Sequence, residues 1–253
     1  MNLTKSINKI ALLFVVGIMM LSTIWFAFAN PDPVAVAAGG INITNSTHKL
    51  TGHPGNISVL AGNITKVTMN GYSQTQSWAG VVGKIKANLT LGDASSKKLY
   101  NWNDASPKGE IYAIASGSTP HWTNSSLTCY NLSAYGSALN TLYGIGSTDA
   151  DRANATFSTA TGHTLFYAGP VRFALNACPS TQLFATGGAA NAEFTEVLLR
   201  DSVAAKPIFV SLLANPVANQ GYNGKTYDFE MLVGEDGHGN GATSAYNFYV
   251  ELQ

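Results

Sequence analysis

The sequence predicts an all-β protein: a β-sandwich, jelly-roll-like, with a small helical insertion. Three observations predict it. Apolar and polar residues alternate in many short runs, the period of a strand with one buried face. Glycine, asparagine and serine punctuate those runs, as turn residues do. Helical spacing is confined to one stretch, Cys129 to Ile145. Many short strands with Gly-rich turns fit a sandwich rather than a layered α/β fold.

The first segment stands apart from that fold. Met1 to Lys9 carries Lys5 and Lys9 and no acid, and Ile10 to Ala29 is apolar. The run ends in Ala27-Phe28-Ala29, the small-x-small pattern that a signal peptidase accepts, and Pro31 and Pro33 block helical continuation. Residues 1–29 therefore read as a signal peptide or, being just long enough to span a bilayer, as an N-terminal membrane anchor. The positive charges precede the run, so either reading places the bulk of the chain outside the cell, extracellular or at the cell surface. Membrane contact is expected only if the segment stays uncleaved. Charged residues make up 11% of the chain, 14 basic against 14 acidic, which leaves no basic face for nucleic acid.

Residues 30–53 form an extended N-terminal arm, rich in Ala, Gly and Pro. Val34 and Val36 share one parity, Ile41 and Ile43 another, with too little pattern for a hairpin of their own. These four are donor-strand candidates, apolar residues of a segment that one copy lends to the exposed sheet edge of the next. The competing reading is a plain spacer.

Residues 54–253 read as one β-sandwich domain with a helical insertion at about 129–155. Ile57 to Ala61 and Val67 to Met69 are short strand patterns about a Gly62-Asn63 turn. Ala79 to Leu91 alternates throughout, a long half-buried strand with Asn88 on its wet face. Gly92 to Ser96 is turn chemistry, and Tyr100 and Trp102 mark the return, so 79–103 is a hairpin. Ile111 to Ala115 is a further strand. In the insertion, Leu132, Tyr135, Leu139 and Leu142 recur at helical spacing, Gly144 stops them, and Thr148 to Asp151 caps a second short helix. Val171, Phe173 and Leu175 alternate. Phe194 to Leu199 and Ile208 to Leu213 are apolar enough to be central strands. Tyr227 to Val233 and Tyr246 to Leu252 complete the fold, with Tyr246, Phe248, Val250 and Leu252 on one face.

Two cysteines in an exported chain predict a disulfide, Cys129 to Cys178; two buried free thiols are the alternative. N-x-[ST] acceptor signals occur at Asn42, Asn45, Asn56, Asn63, Asn88, Asn124, Asn131 and Asn154, and none follows Asn154. The clustering predicts N-linked glycans on one region of the surface, against compositional drift in a polar chain.

No H-E-x-x-H, G-x-S-x-G, P-loop or EF-hand pattern is present, and the five histidines are scattered. The expectation is therefore no enzyme and no cofactor. Three weaker features bear on chemistry. Asp228 and Glu230 lie two apart on a strand; they suit a glycosidase carboxylate pair, or else are solvated acids opposite Phe229 and Met231. The Gly-rich stretch Gly234 to Thr243 offers oxygen ligands for Ca²⁺, or is a plain hairpin loop. Trp78, Tyr100, Trp102 and Trp122 suit a sugar platform, or else pack in the core.

Two segments, "SWAGVVGKIKANLTLGDASSKKLYNW" from Ser77 and "YDFEMLVGEDGHGNGATSAYNFYVEL" from Tyr227, resemble poorly characterised archaeal secreted and cell-surface β-rich proteins. The arm around Val34 to Ile43 looks like the N-terminal strands of surface-filament subunits. The resemblance implies an archaeal cell surface and heavy N-glycosylation, and no activity. Taken together, these features predict an exported, N-glycosylated structural or adhesive surface protein, a filament subunit that self-associates through its N-terminal strand. The alternatives are an extracellular carbohydrate-binding module and a glycan-active hydrolase.

Overall fold

The computed structural model describes residues 32–37, 40–47, 56–69, 71, 73–86, 88–95, 97–103, 108–186, 188–213, 219–236 and 243–252. The segment 1–29 lies outside them. In chain order the strands are β1 (Val34–Ala35), β2 (Trp78–Gly83), β3 (Asn88–Gly92), β4 (Lys98–Asn103), β5 (Gly109–Ala115) and β6 (Leu127–Cys129). After two helices, α1 (Leu132–Leu142) and α2 (Ala153–Thr156), come β7 (Phe166–Ala168), β8 (Val171–Phe173), β9 (Ser180–Ala185), β10 (Ala189–Asp201) and β11 (Lys206–Leu212). The last are β12 (Asn219–Gln220), β13 (Thr226–Tyr227), β14 (Phe229–Gly234) and β15 (Tyr246–Leu252). Every strand pairing is antiparallel. The protein is an all-β sandwich with a small helical element.

A seven-stranded sheet in the order β1-β15-β5-β11-β10-β6, with β9 also on β10, forms the centre. Its middle strands are apolar on both parities because both faces are covered. Ile111, Ala113, Leu198 and Phe209 point into one cluster, while Tyr112, Ile114, Val197, Leu199, Ile208 and Val210 point into the other. The first cluster is closed by β2, β14 and α1, the second by the β7–β8 hairpin. Phe209 is the centre of the first: fully buried, its ring lies 6.1–6.4 Å from those of Trp78, Tyr143, Phe157 and Tyr246.

The β2–β14 ribbon lies over the large sheet without joining it, so among the described residues one edge of β14 has no strand partner. Two side chains from the sheet beneath take that place. Glu196 Oε2 accepts from the Leu232 amide at 2.7 Å, and Ser211 Oγ donates to the Glu230 carbonyl at 2.8 Å. Glu196 and Ser211 are themselves cross-strand partners on β10 and β11. An open edge is thereby closed by side chains rather than by a strand.

Cys129 and Cys178 form a disulfide, Cα–Cα 4.9 Å, across a separation of 49 residues. It encloses both helices and the β7–β8 hairpin. Buried His163 holds its second half: Nε2 accepts from the Cys178 amide at 2.9 Å while Nδ1 lies 2.6 Å from the Thr164 carbonyl. That pairing fixes the proton on Nδ1. Asn131 caps α1 by accepting from the Ala134 amide, and Gly144, at φ +61°, ends it.

Several local expectations are corrected. The alternation from Ala79 to Leu91 is two strands with different partners: β2 pairs with β14, β3 with β4. Residues 56–69 contain the turn at Gly62 but no strand. The buried face of α1 is Gly136, Leu139 and Asn140, continued by Tyr143, while Tyr135 and Leu142 are exposed. No side chain from Thr148 to Asp151 caps α2; its Ala153 amide donates to Asn140 Oδ1, and Asp149 binds the Gly146 amide instead. Among the described residues no helix is long and apolar enough to cross a membrane.

Candidate functional site: the seat of the N-terminal strand

The arm is not a free spacer over its first residues. Val34 pairs with Val250 and Ala35 with Tyr249, and the Val36 amide donates to the Phe248 carbonyl at 2.8 Å. The pairing makes β1 the outermost strand of the large sheet, on the edge of β15. It is a light attachment: two strand residues, with Val34 64% exposed. Of the other candidates, Val36 is half-buried, whereas Ile41 and Ile43 are exposed and lie outside any strand.

Ahead of β1 the chain crosses the β7–β8 turn. Pro33 is buried there, and a Cβ on Gly169 would lie 3.0 Å from Asp32 Oδ1 and 3.4 Å from the Trp122 Cβ. Gly169, at φ +56°, is required twice over, by its backbone conformation and by this close approach.

Beneath the crossing sits Glu251, 1% exposed. Its Oε2 accepts from the Tyr112 hydroxyl at 2.7 Å and from the Gly169 amide at 2.9 Å. One carboxyl group thus ties β15, β5 and the β7–β8 turn into the seat on which β1 rests. Its Oε1 is buried without a hydrogen-bond partner, and Glu110, also buried, stands directly opposite on β5. Burial raises the Glu251 carboxyl above its usual range; the two hydrogen bonds oppose the shift and nearby Asp32 adds to it. Burial, with Glu110 and Glu251 close by, likewise raises Tyr112 well above the usual tyrosine range, so it stays a donor.

The other predicted residues fall as follows. The asparagines of seven acceptor signals, Asn42, Asn45, Asn56, Asn63, Asn124, Asn131 and Asn154, are all exposed. Asn88 lies in β3 with its side chain outside the described residues. Asp228 and Glu230 are buried rather than solvated: Asp228 accepts from the Ile85 amide at 2.8 Å and Glu230 from the Tyr222 amide at 3.0 Å. Both carboxyls hold backbone in place. Most of the stretch proposed for Ca²⁺, residues 237–242, lies outside the described residues; among those described no group of acids, histidines or cysteines is arranged for a metal. Of the four aromatics, Trp78 packs in the first cluster, its indole N–H donating to the Asp151 carbonyl, and Trp122 packs against Tyr112 and Tyr249. Tyr100 and Trp102 remain on the surface, edge to face at 4.8 Å.

No protein-family model, no curated protein and no solved structure matches the chain. Sequence reasoning missed Glu251, Tyr112 and Gly169. The signal for Glu251 was a carboxylate inside an otherwise apolar and aromatic strand, "YNFYVEL"; nothing marked Tyr112 or Gly169 as its partners.

Proposed function

We propose that this chain is an exported, N-glycosylated structural protein of the cell surface, a filament subunit in which the N-terminal strand of one copy pairs with β15 of the next. One observation carries the reading: the donor segment already occupies a sheet edge, held by a few backbone bonds and little side-chain burial. The same antiparallel pairing satisfies the same backbone groups whether the strand comes from its own chain or a neighbour's. Exposure of the seven described acceptor asparagines supports glycosylation, and the signal-like residues 1–29 support export. The resemblance to archaeal surface proteins belongs to this proposal as well. Of the four aromatics predicted for a sugar platform, Tyr100 and Trp102 are the exposed pair, and their edge-to-face arrangement offers no flat platform.

The test is a cysteine pair at Val34 and Val250, directly opposite in the ladder. In V34C/V250C, strand donation gives a disulfide-linked ladder on non-reducing electrophoresis, and docking within one chain gives a single monomer band. A monomer band at every concentration, together with no polymer by electron microscopy, overturns the filament reading. Intact mass of native protein tests export and sugar: a start near Asn30 and added hexose are expected.

A further inference from the structure

The β3–β4 hairpin belongs to neither hydrophobic cluster. Leu89 stands opposite Trp102 and Leu91 opposite Tyr100, which puts all four side chains on one face. They are 47–59% exposed. A two-stranded hairpin is marginal by itself in water, and an exposed apolar face of this kind marks a contact surface. It is flanked by exposed Lys84 and Lys86 on the approach from β2 and by exposed Lys97 and Lys98 at the turn. Asp93, the one acid of the turn, accepts from the Ser95 and Lys97 amides.

The hairpin follows the Gly83 end of β2 in the β2–β14 ribbon, and the opposite end of that ribbon carries the opposite sign. Where Trp78 pairs with Gly234, Glu235 and exposed Asp236 follow β14, and the Glu235 amide donates to the Ser77 carbonyl. Asp151 joins them there, accepting from Thr75 Oγ1 through its carboxylate. Exposed Asp149 is nearby in sequence. β2 has six residues, so its two ends lie about 20 Å apart.

Resting on the reading of this chain as a self-assembling protein, we infer that the apolar, lysine-flanked face of the β3–β4 hairpin docks on the acidic end of the β2–β14 ribbon of a second copy. The occupant is a second copy because the complementary charge is built into the same molecule. With 14 basic and 14 acidic residues, the chain as a whole has no net attraction for an anionic surface. The hairpin leaves the ribbon at its Gly83 end and the acids lie at its Trp78 end, so docking head to tail lets the contact propagate from copy to copy. It is a second contact, separate from the β1 seat.

The test uses full-length V34C/V250C oxidised at high dilution, from which the monomer band is isolated; in that fraction β1 is clamped to its own β15, strand donation is blocked and the hairpin is left free. Sedimentation velocity is expected to show concentration-dependent oligomers that weaken as ionic strength rises. Reversing Lys97 and Lys98 (K97E/K98E) weakens association by about tenfold. Mixing that variant with D149K/D236K restores it, and W102A weakens it at all ionic strengths. Unchanged circular dichroism establishes that each variant is folded. A clamped chain that stays monomeric overturns the inference while leaving strand donation to its own assay. Binding to phosphatidylserine vesicles, or retention on polysaccharide, that is lost in W102A without any self-association also overturns it, in favour of a lipid or a sugar on this face.

Discussion

Removing the disulfide is the perturbation whose size the structure fixes most directly. Cys129 and Cys178 are 49 residues apart, and the bond restricts the unfolded chain by closing that loop. In the chain-entropy model the loss is about 14 cal/mol/K, or about 4 kcal/mol at 25 °C. Total stability of a domain is commonly about 5–15 kcal/mol, so the bond is a large fraction of it. With a urea slope of about 2–3 kcal/mol/M for a chain of this size, the midpoint should fall by about 1.5–2 M. The assay is urea unfolding followed by both circular dichroism and tryptophan fluorescence, on reduced wild type and on C129A/C178A. The two samples separate cause from side effect. Cys178 is fully buried, so its replacement by alanine also removes packed atoms, whereas reduction removes none. Equal shifts in both support chain entropy. A shift confined to the double variant assigns the loss to the cavity. A reduced wild type whose midpoint moves by less than about 0.5 M refutes the reasoning.

Three further outcomes follow from the packing. Phe209→Ala, which removes the ring that Trp78, Tyr143, Phe157 and Tyr246 surround, should cost about 3–5 kcal/mol in urea unfolding; a cost under about 1 kcal/mol means the first cluster does not depend on it. Burial raises the carboxyl pKa values of Glu196, Glu230 and Glu251, so what they contribute to stability is complete below the ordinary carboxylate range and is lost as pH rises through their raised folded values. Asp201 acts in the opposite sense: burial alone would raise it, but bonds from Ala204, His121 and Val203 hold it low, and its contribution is lost only in stronger acid. The melting temperature should therefore fall as pH rises above the ordinary carboxylate range, and Glu251→Gln should flatten that slope; a rise there contradicts the assignment. Asn131→Ala should destabilise by about 1 kcal/mol through loss of the α1 cap, whereas Asn131→Asp keeps the acceptor oxygen and the stability. Both variants should lack whatever sugar mass the native protein carries at that position.

The parts of the fold legible in the sequence were those whose pattern has one meaning. Tyr246, Phe248, Val250 and Leu252 alternate because one cluster lies under them, and the unbroken apolar runs of β10 and β11 reflect a sheet covered on both faces. The cysteine pair was legible for the same reason: among two cysteines only one bond can form. Alternation says nothing about partners, however, so Ala79 to Leu91 gave no sign that β2 and β3 turn to different neighbours. Nor does it tell a wet face from a buried polar one. Asp228, Glu230 and Glu251 have the spacing of solvated acids, yet each is buried because a backbone amide elsewhere in the chain needs an acceptor. The seat of β1 was invisible for that reason: the arm was recognisable, but its partners come from β5, β7–β8 and β15, far away along the sequence.

The strand order also dictates a timetable. Among the described strands β15 is made latest, yet in the sheet it lies between β5, made some 130 residues earlier, and β1, the earliest of them. Until it arrives, one edge of β5 stays open and β1 has nothing to pair with, so the nascent chain cannot finish this sheet from its N-terminal end. Tyr112 and Gly169 wait for the Glu251 carboxyl over the same interval. Closing the sheet, seating the N-terminal segment and burying the acid therefore all depend on the same seven residues.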